Sequence, residues 1–213
     1  MRCPACQILL SEHDAACQQC GLSLDAVDKL LGIPPNLQKP ITDTQGALTF
    51  LARKKVEHCI TEIERRHPLL HASVIFMNVP QQVSVGVYAF WLFNRGGLCS
   101  PVDKGGANHH VMLLIDPATS RAAAIVGYGL EPFVSLEALQ LCLNEFAGAA
   151  RSGSLAAGVA AFLAELDERL RLLCDELPRQ FGYDENADWY DSSVEGQVID
   201  PAAASNRKLT AAY

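Results

Sequence analysis

The run Val111–Asp116, VMLLID, constrains this chain most. It is apolar at nearly every position rather than at every second one. A strand with one wet face alternates, and a strand covered on both faces does not. VMLLID therefore predicts the central strand of a sheet with helices above and below it. PATS follows as a turn with Pro at its second position, and RAAAIV reads as a second strand, so the two form a hairpin. Upstream, HASVIFMNVP is short and β-branched; it reads as a strand that Pro80 ends.

The intervening stretches carry helical periods. Within Thr42–His67, Leu48, Leu51, Val56, Ile60 and Ile63 recur three to five residues apart, with charges opposite. Asp43 or Thr44 is the expected cap and Pro68 the stop. Val83–Asn94 gathers Val87, Phe90, Trp91 and Phe93 on one side; aromatics at that spacing beside two strands predict core rather than a cofactor box. Gly127-Tyr128-Gly129 bends the chain. Glu131-Pro132 is expected to open a helix, with Pro at the first helical position. Two more helices are expected over about Ser135–Arg151 and Ser154–Glu176, separated by Ser152-Gly153-Ser154.

Ahead of this lies a different kind of segment. Residues 3–20 read C-P-A-C, ten residues, C-Q-Q-C, and Gly21 follows. Two C-x-x-C knuckles offer four thiolates, Cys3, Cys6, Cys17 and Cys20, the closed tetrahedral set of a structural zinc. Gly21 suits the left-handed turn that ends a knuckle. So short a module has little core, and the metal has to hold it together. With all four positions filled by protein, no coordination site remains open for chemistry. His13 lies between the pairs, but four cysteines already suffice. The zinc ribbon is assigned to residues 1–23. A short helix over Leu24–Leu31, capped by Ser23 and ended by Gly32, and a Pro-rich linker complete residues 24–40.

The chain has 213 residues and a formal net charge of −7. Its negative charge disfavours a general nucleic-acid role, which needs a basic face. Arg53, Lys54, Lys55, Arg65 and Arg66 share one helix and read as its solvated side. No secretory pattern opens the sequence, and no spanning run of apolar residues occurs, so no membrane insertion and a cytoplasmic location are expected. Cys59, Cys99, Cys142 and Cys174 then read as small apolar fillers. Residues 175–213 are acidic and non-periodic and read as a disordered tail. Phe181, Trp189 and Tyr190 in it suggest docking on a protein partner. Asp184, Asn186, Asp188 and Glu195 fall at calcium-loop positions, but Trp189 stands where that loop needs glycine, so the match is taken as chance.

The order helix, strand, helix, strand, strand, helix, helix, together with YAFWLFNRGG, VMLLID and VGYGLE, resembles the TPM-domain family over about Ile41–Leu172. The resemblance implies an α/β fold, a central mixed β-sheet flanked by helices on both faces, for residues 41–174. It implies at most a modest activity, since some members have been assigned acid-phosphatase activity, others calcium binding, others upkeep of membrane complexes. The family carries Asp-Asn-Gly before the central strand, where this chain has Asn108-His109-His110. It carries an Asp shortly after the glutamate of GYGLE, where this chain has Leu136 and then Glu137. Glu131, Asn108 and Glu137 are thus the candidate calcium ligands, with less charge than the family pattern, and His109 and His110 lean toward a transition metal. Arg95 and Lys104, in the loop after the aromatic helix, are the cations a phosphatase would need. No C-x5-R, D-x-D-x-T or P-loop motif is present. The expected function is a binding or scaffold module, with a metal-assisted phosphatase acting on phosphomonoesters as the alternative.

Overall fold

A computed structural model describes residues 2–11, 14–98 and 108–180; for residues 175–180 it describes the backbone alone. The element order is α1 (Leu24–Leu31), β1 (Ile41–Asp43), α2 (Phe50–Arg66), β2 (His71–Phe76), α3 (Val85–Arg95), β3 (His110–Asp116), β4 (Arg121–Val126), α4 (Leu136–Ser152) and α5 (Leu155–Gln180). The four strands form one mixed sheet in the order β1-β2-β3-β4. β1 and β2 are parallel, as are β2 and β3, and β3 pairs antiparallel with β4.

β3 is buried at all seven of its residues, as its unbroken apolar run predicts. Its side chains alternate between two cores. Val111, Leu113 and Ile115 meet Val56, Ile60 and Ile63 of α2, Phe146 of α4 and Phe162 of α5. Met112 and Leu114 meet Val27 of α1 and Trp91 and Leu92 of α3. The expected α/β class with helices on both faces holds. α1 and α3 are clamped together as well: the Trp91 indole donates to Asp28 at 2.7 Å, and Arg95 lies 2.8 Å from the same carboxylate.

Four readings are corrected. Ile41–Asp43 is a strand, not the start of a helix; α2 begins at Phe50, where the Thr49 hydroxyl accepts from Ala52 N–H. Asp43 instead binds the N–H groups of Gln45, Ala47 and Leu48 and fixes the turn that leads into α2. Leu51 is 78% exposed and lies off the buried stripe. Glu131-Pro132 does not open a helix. Leu130 and Glu131 donate to the Gly127 carbonyl, and Phe133 and Val134 to the Leu130 carbonyl, which makes a pair of tight turns. α4 starts later, at Leu136, because the Ser135 hydroxyl is there to accept from Ala138 N–H.

Of the scattered cysteines, Cys142 is buried and Cys59 half-buried, but Cys174 is exposed and fills nothing; Cys99 lies outside the described residues. α5 runs to Gln180, so helix continues past the expected start of the tail. Residues 181–213, with Phe181, Trp189, Tyr190 and the calcium-loop positions, lie outside the described residues, as do His13 and Lys104. Among the described residues no helix is long and apolar enough to cross a membrane.

Candidate functional site

The two C-x-x-C units fold as near copies of one another. Cys3 N–H donates to the Ile8 carbonyl and Gln7 N–H to the Cys3 carbonyl; Cys17 N–H donates to Leu22 and Gly21 N–H to Cys17. Gln7 and Gly21 occupy the same place in their turns, with φ of 65° and 72°. Glycine takes that conformation freely and glutamine does so at a cost. Each turn aims its backbone N–H groups at sulfur. The Cys20 and Gln19 N–H groups lower the Cys17 thiol to about 7. At Cys6 the Ile8 N–H favours the thiolate, but burial and the neighbouring sulfurs outweigh it and push the thiol up to about 12.

The four Sγ atoms lie within 4.8 Å of one another, with Cys3–Cys20 at 3.6 Å and Cys6–Cys17 at 3.5 Å. Metal–sulfur bonds of about 2.3 Å in a regular tetrahedron put neighbouring sulfurs about 3.8 Å apart. A disulfide would need about 2 Å. The residues present therefore fit a single metal such as zinc, and among the described residues no other group of three or more His, Cys, Asp or Glu side chains converges in this way.

The cysteine module does not stand apart from the domain behind it. The Pro4 carbonyl sits against Gly86 at the start of α3, 3.5 Å from where a Cβ would lie. A cavity of about 790 Å³ opens between the module, α3, α4 and the outer edge of β4. Asn108 and Glu131 both line it.

Asn108 is buried and already engaged. Its carbonyl accepts from Gly129 N–H at 2.9 Å, and its Oδ1 accepts from His110 N–H at 3.1 Å. Gly127 makes room for it, since a Cβ there would fall 2.3 Å from the Asn108 carbonyl oxygen. The glycine is required by this close approach rather than by a left-handed turn. Glu137 is exposed at the start of α4; its own N–H, the Ser135 hydroxyl and the nearby Arg2 hold its carboxyl below the usual range. It does not line the cavity with Asn108 and Glu131.

The remaining candidates are placed elsewhere. His110 is buried at the start of β3, its Nε2 3.0 Å from the Ser73 hydroxyl and its ring on the edge of Phe93. Arg95 is the last residue of α3 rather than part of a loop, and it is paired with Asp28 and Asp25 of α1. It belongs to the α1–α3 clamp and not to Glu131. The charges on α2 are local ion pairs, such as Lys54 with Glu57 and Arg65 with Glu62, as expected of a solvated face.

These observations define an α/β domain whose Gly-rich elbow is braced by an asparagine, carrying a four-cysteine module on one flank. The TPM domain profile matches residues 41–169, and the chain belongs to that family. A comparison with curated proteins returned no match. Among solved structures, the N-terminal domain of a protein from P. gingivalis is similar at 19% identity and a TM-score of 0.52, covering 61% of this chain and 80% of that one. The BA42 protein of the psychrophilic bacterium Bizionia argentinensis is similar at 13% identity and a TM-score of 0.50, covering 62% of this chain and 86% of that one. At these identities the likeness is one of fold.

Proposed function

We propose that this chain is a binding module of the cytosol, in which a structural zinc on Cys3, Cys6, Cys17 and Cys20 holds one wall of a cavity that the TPM domain completes. The observation that carries this reading is the state of the candidate acidic site. Asn108 spends both of its oxygens on the backbone brace. Glu137 is drawn to the Ser135 end of α4. Of the two candidate carboxylates, Glu131 lines the cavity with Asn108 and Glu137 does not. Calcium favours six to eight oxygens, several of them charged. A calcium ion on Glu131, Asn108 and Glu137 would have to break existing hydrogen bonds to gather them, so at most a weak site is expected.

The same reasoning bears on the phosphatase alternative. Phosphoryl transfer needs cations or metal ions around the transferring group. Arg95 is already held by two aspartates of α1. Incubation of the full chain with p-nitrophenyl phosphate, with and without calcium, is expected to show no hydrolysis above buffer. Turnover that disappears in Glu131→Gln would overturn the binding-module reading.

A further inference from the structure

The cysteine module has no apolar core of its own. Of residues 2–11 and 14–23, only Cys3 and Cys17 are buried, while Ile8 and Leu9 are exposed. Whatever joins the sulfurs therefore joins the two turns. Each turn also has a separate hold on the domain. In the first, the Pro4 carbonyl sits against Gly86 of α3, and Arg2 lies near Glu137 of α4. The second runs through Leu22, which packs on the core around Val27, into α1. The two turns are thus held face to face by the domain as well as by their sulfurs.

The sulfurs form two close pairs, and each pair crosses from one turn to the other. Cys3 and Cys20 lie 3.6 Å apart and Cys6 and Cys17 3.5 Å apart, at sequence separations of 17 and 11 residues. A disulfide needs about 2 Å, so each pair has to close by only about 1.5 Å. Each pair also joins a buried sulfur to a more open one: Cys3 to the exposed Cys20, and Cys17 to Cys6. A disulfide inside either C-x-x-C unit would leave the turns unjoined. Two disulfides across the turns would join them as the metal does.

We propose that these four cysteines are an oxidation site as well as a metal site: a peroxide turns them into the disulfides Cys3–Cys20 and Cys6–Cys17, frees the metal and leaves the module joined. The inference rests on the zinc reading and adds the regulation of that same site. The exposed Cys20 thiolate attacks one oxygen of hydrogen peroxide and the O–O bond breaks. The sulfur becomes a sulfenic acid, and the departing hydroxide takes up a proton to leave as water. The Cys3 thiolate then attacks that sulfur. The S–S bond forms, the S–O bond breaks, and a second hydroxide leaves as water after taking up a proton. Cys6 and Cys17 react in the same way with a second peroxide. In all, four thiolates, two peroxides and four protons give two disulfides and four waters. Disulfide sulfurs carry no charge to hold zinc, so the metal is released. A dithiol reductant returns the thiols by exchange.

The test uses the full zinc-loaded chain carrying Cys174→Ser, so that this exposed thiol cannot join two copies. Zinc is counted first, and hydrogen peroxide is then added in steps. A chromogenic indicator reads the zinc released, and mass spectrometry of alkylated, unreduced peptides reads the disulfides. Two peroxides are expected to release one zinc. Cleavage after Glu12 should leave the turns joined, and fragmentation between Gln18 and Gln19 should assign Cys20 to Cys3 and Cys17 to Cys6. By NMR, residues 2–11 and 14–21 of the oxidised, zinc-free chain should stay dispersed, whereas chelation of the reduced chain collapses them. Dithiothreitol with added zinc should restore the first spectrum. The double variant Cys6→Ser, Cys17→Ser should still form Cys3–Cys20 with one peroxide, in a protein whose β3 amides remain protected.

Turns that separate on cleavage would mean bonds inside the C-x-x-C units and would overturn the proposal. So would zinc that stays bound in a large excess of peroxide. Joined turns whose signals collapse would show that the disulfides do not replace the metal, and would also overturn it. A chain that carries no zinc before peroxide is added overturns both this proposal and the reading beneath it. A zinc-loaded chain that fails the later steps overturns this proposal alone.

Discussion

Replacing Gly127 by alanine tests how firmly the elbow is bound to Asn108. The added carbon would lie 2.3 Å from the Asn108 carbonyl oxygen and 2.5 Å from its Cγ and Oδ1. Ordinary contact begins near 3.4 Å, so the Asn108 backbone has to shift by about 1 Å or the elbow has to open. Either movement strains the Gly129 N–H bond to the Asn108 carbonyl and the His110 N–H bond to its side chain, now 2.9 and 3.1 Å. Overpacking costs about 1–3 kcal/mol and each weakened bond about 1 kcal/mol, which gives roughly 3 kcal/mol in all. For a chain of this length each kcal/mol lowers Tm by about 2–4 °C, so the expected loss is roughly 6–12 °C. Thermal unfolding followed by circular dichroism measures it. Adding Asn108→Ala removes the side-chain part of the clash but not the carbonyl, so the double variant should lose less than the two single changes summed. A Gly127→Ala protein melting within about 1 °C of the parent would refute the reasoning.

Other outcomes follow from the same geometry. Asp116 is nearly fully buried; burial pushes its carboxyl up, but the Thr119 hydroxyl and the N–H groups of Val79, Ala118 and Thr119 win and hold it below the usual range. Its stabilisation is therefore present above about pH 4 and fades as pH falls through the lowered value. Asp116→Asn should cost about 1–3 kcal/mol at pH 7 in urea unfolding, with a gap to the parent that narrows in acid. Asp28 is held low by the Trp91 indole N–H first and by Arg95 next; Asp28→Ala should release α1 from α3, cost about 1–2 kcal/mol and change the near-ultraviolet dichroism of Trp91. A strong chelator should collapse the NMR signals of residues 2–11 and 14–21 while the amides of β2 and β3 keep their protection. Signals that persist after chelation would show that the module holds itself together without metal.

Much of this was legible in the sequence because it is local. The unbroken apolar run of β3, the hairpin to β4, the Ser23 and Gly32 ends of α1 and the paired C-x-x-C knuckles all follow from short-range patterns. β1 was not legible. Three residues are too few to show a period, and the helical spacing downstream absorbed them. Its pairing partner Val74 lies 33 residues beyond Ile41. The start of α4 was legible at Ser135, whose hydroxyl caps it, whereas Pro132 signalled a separate helix start that the fold spends on turns. Arg95 next to a Gly-rich stretch reads as a loop cation, and only the fold shows the aspartates of α1 beside it. The reason for Gly127 is a contact with Asn108, on the opposite side of the hairpin, so it is tertiary by nature. The same is true of the cavity between the cysteine module and β4.

Native mass spectrometry of the full chain, kept reduced and recorded with and without added calcium, tests the central claim most directly. The account predicts a mass increment of one zinc, with its thiol protons displaced, and no saturable second ion. Protein that carries no zinc would contradict the cysteine site, and a saturable calcium lost in Glu131→Gln would contradict the assignment of this chain as a binding module.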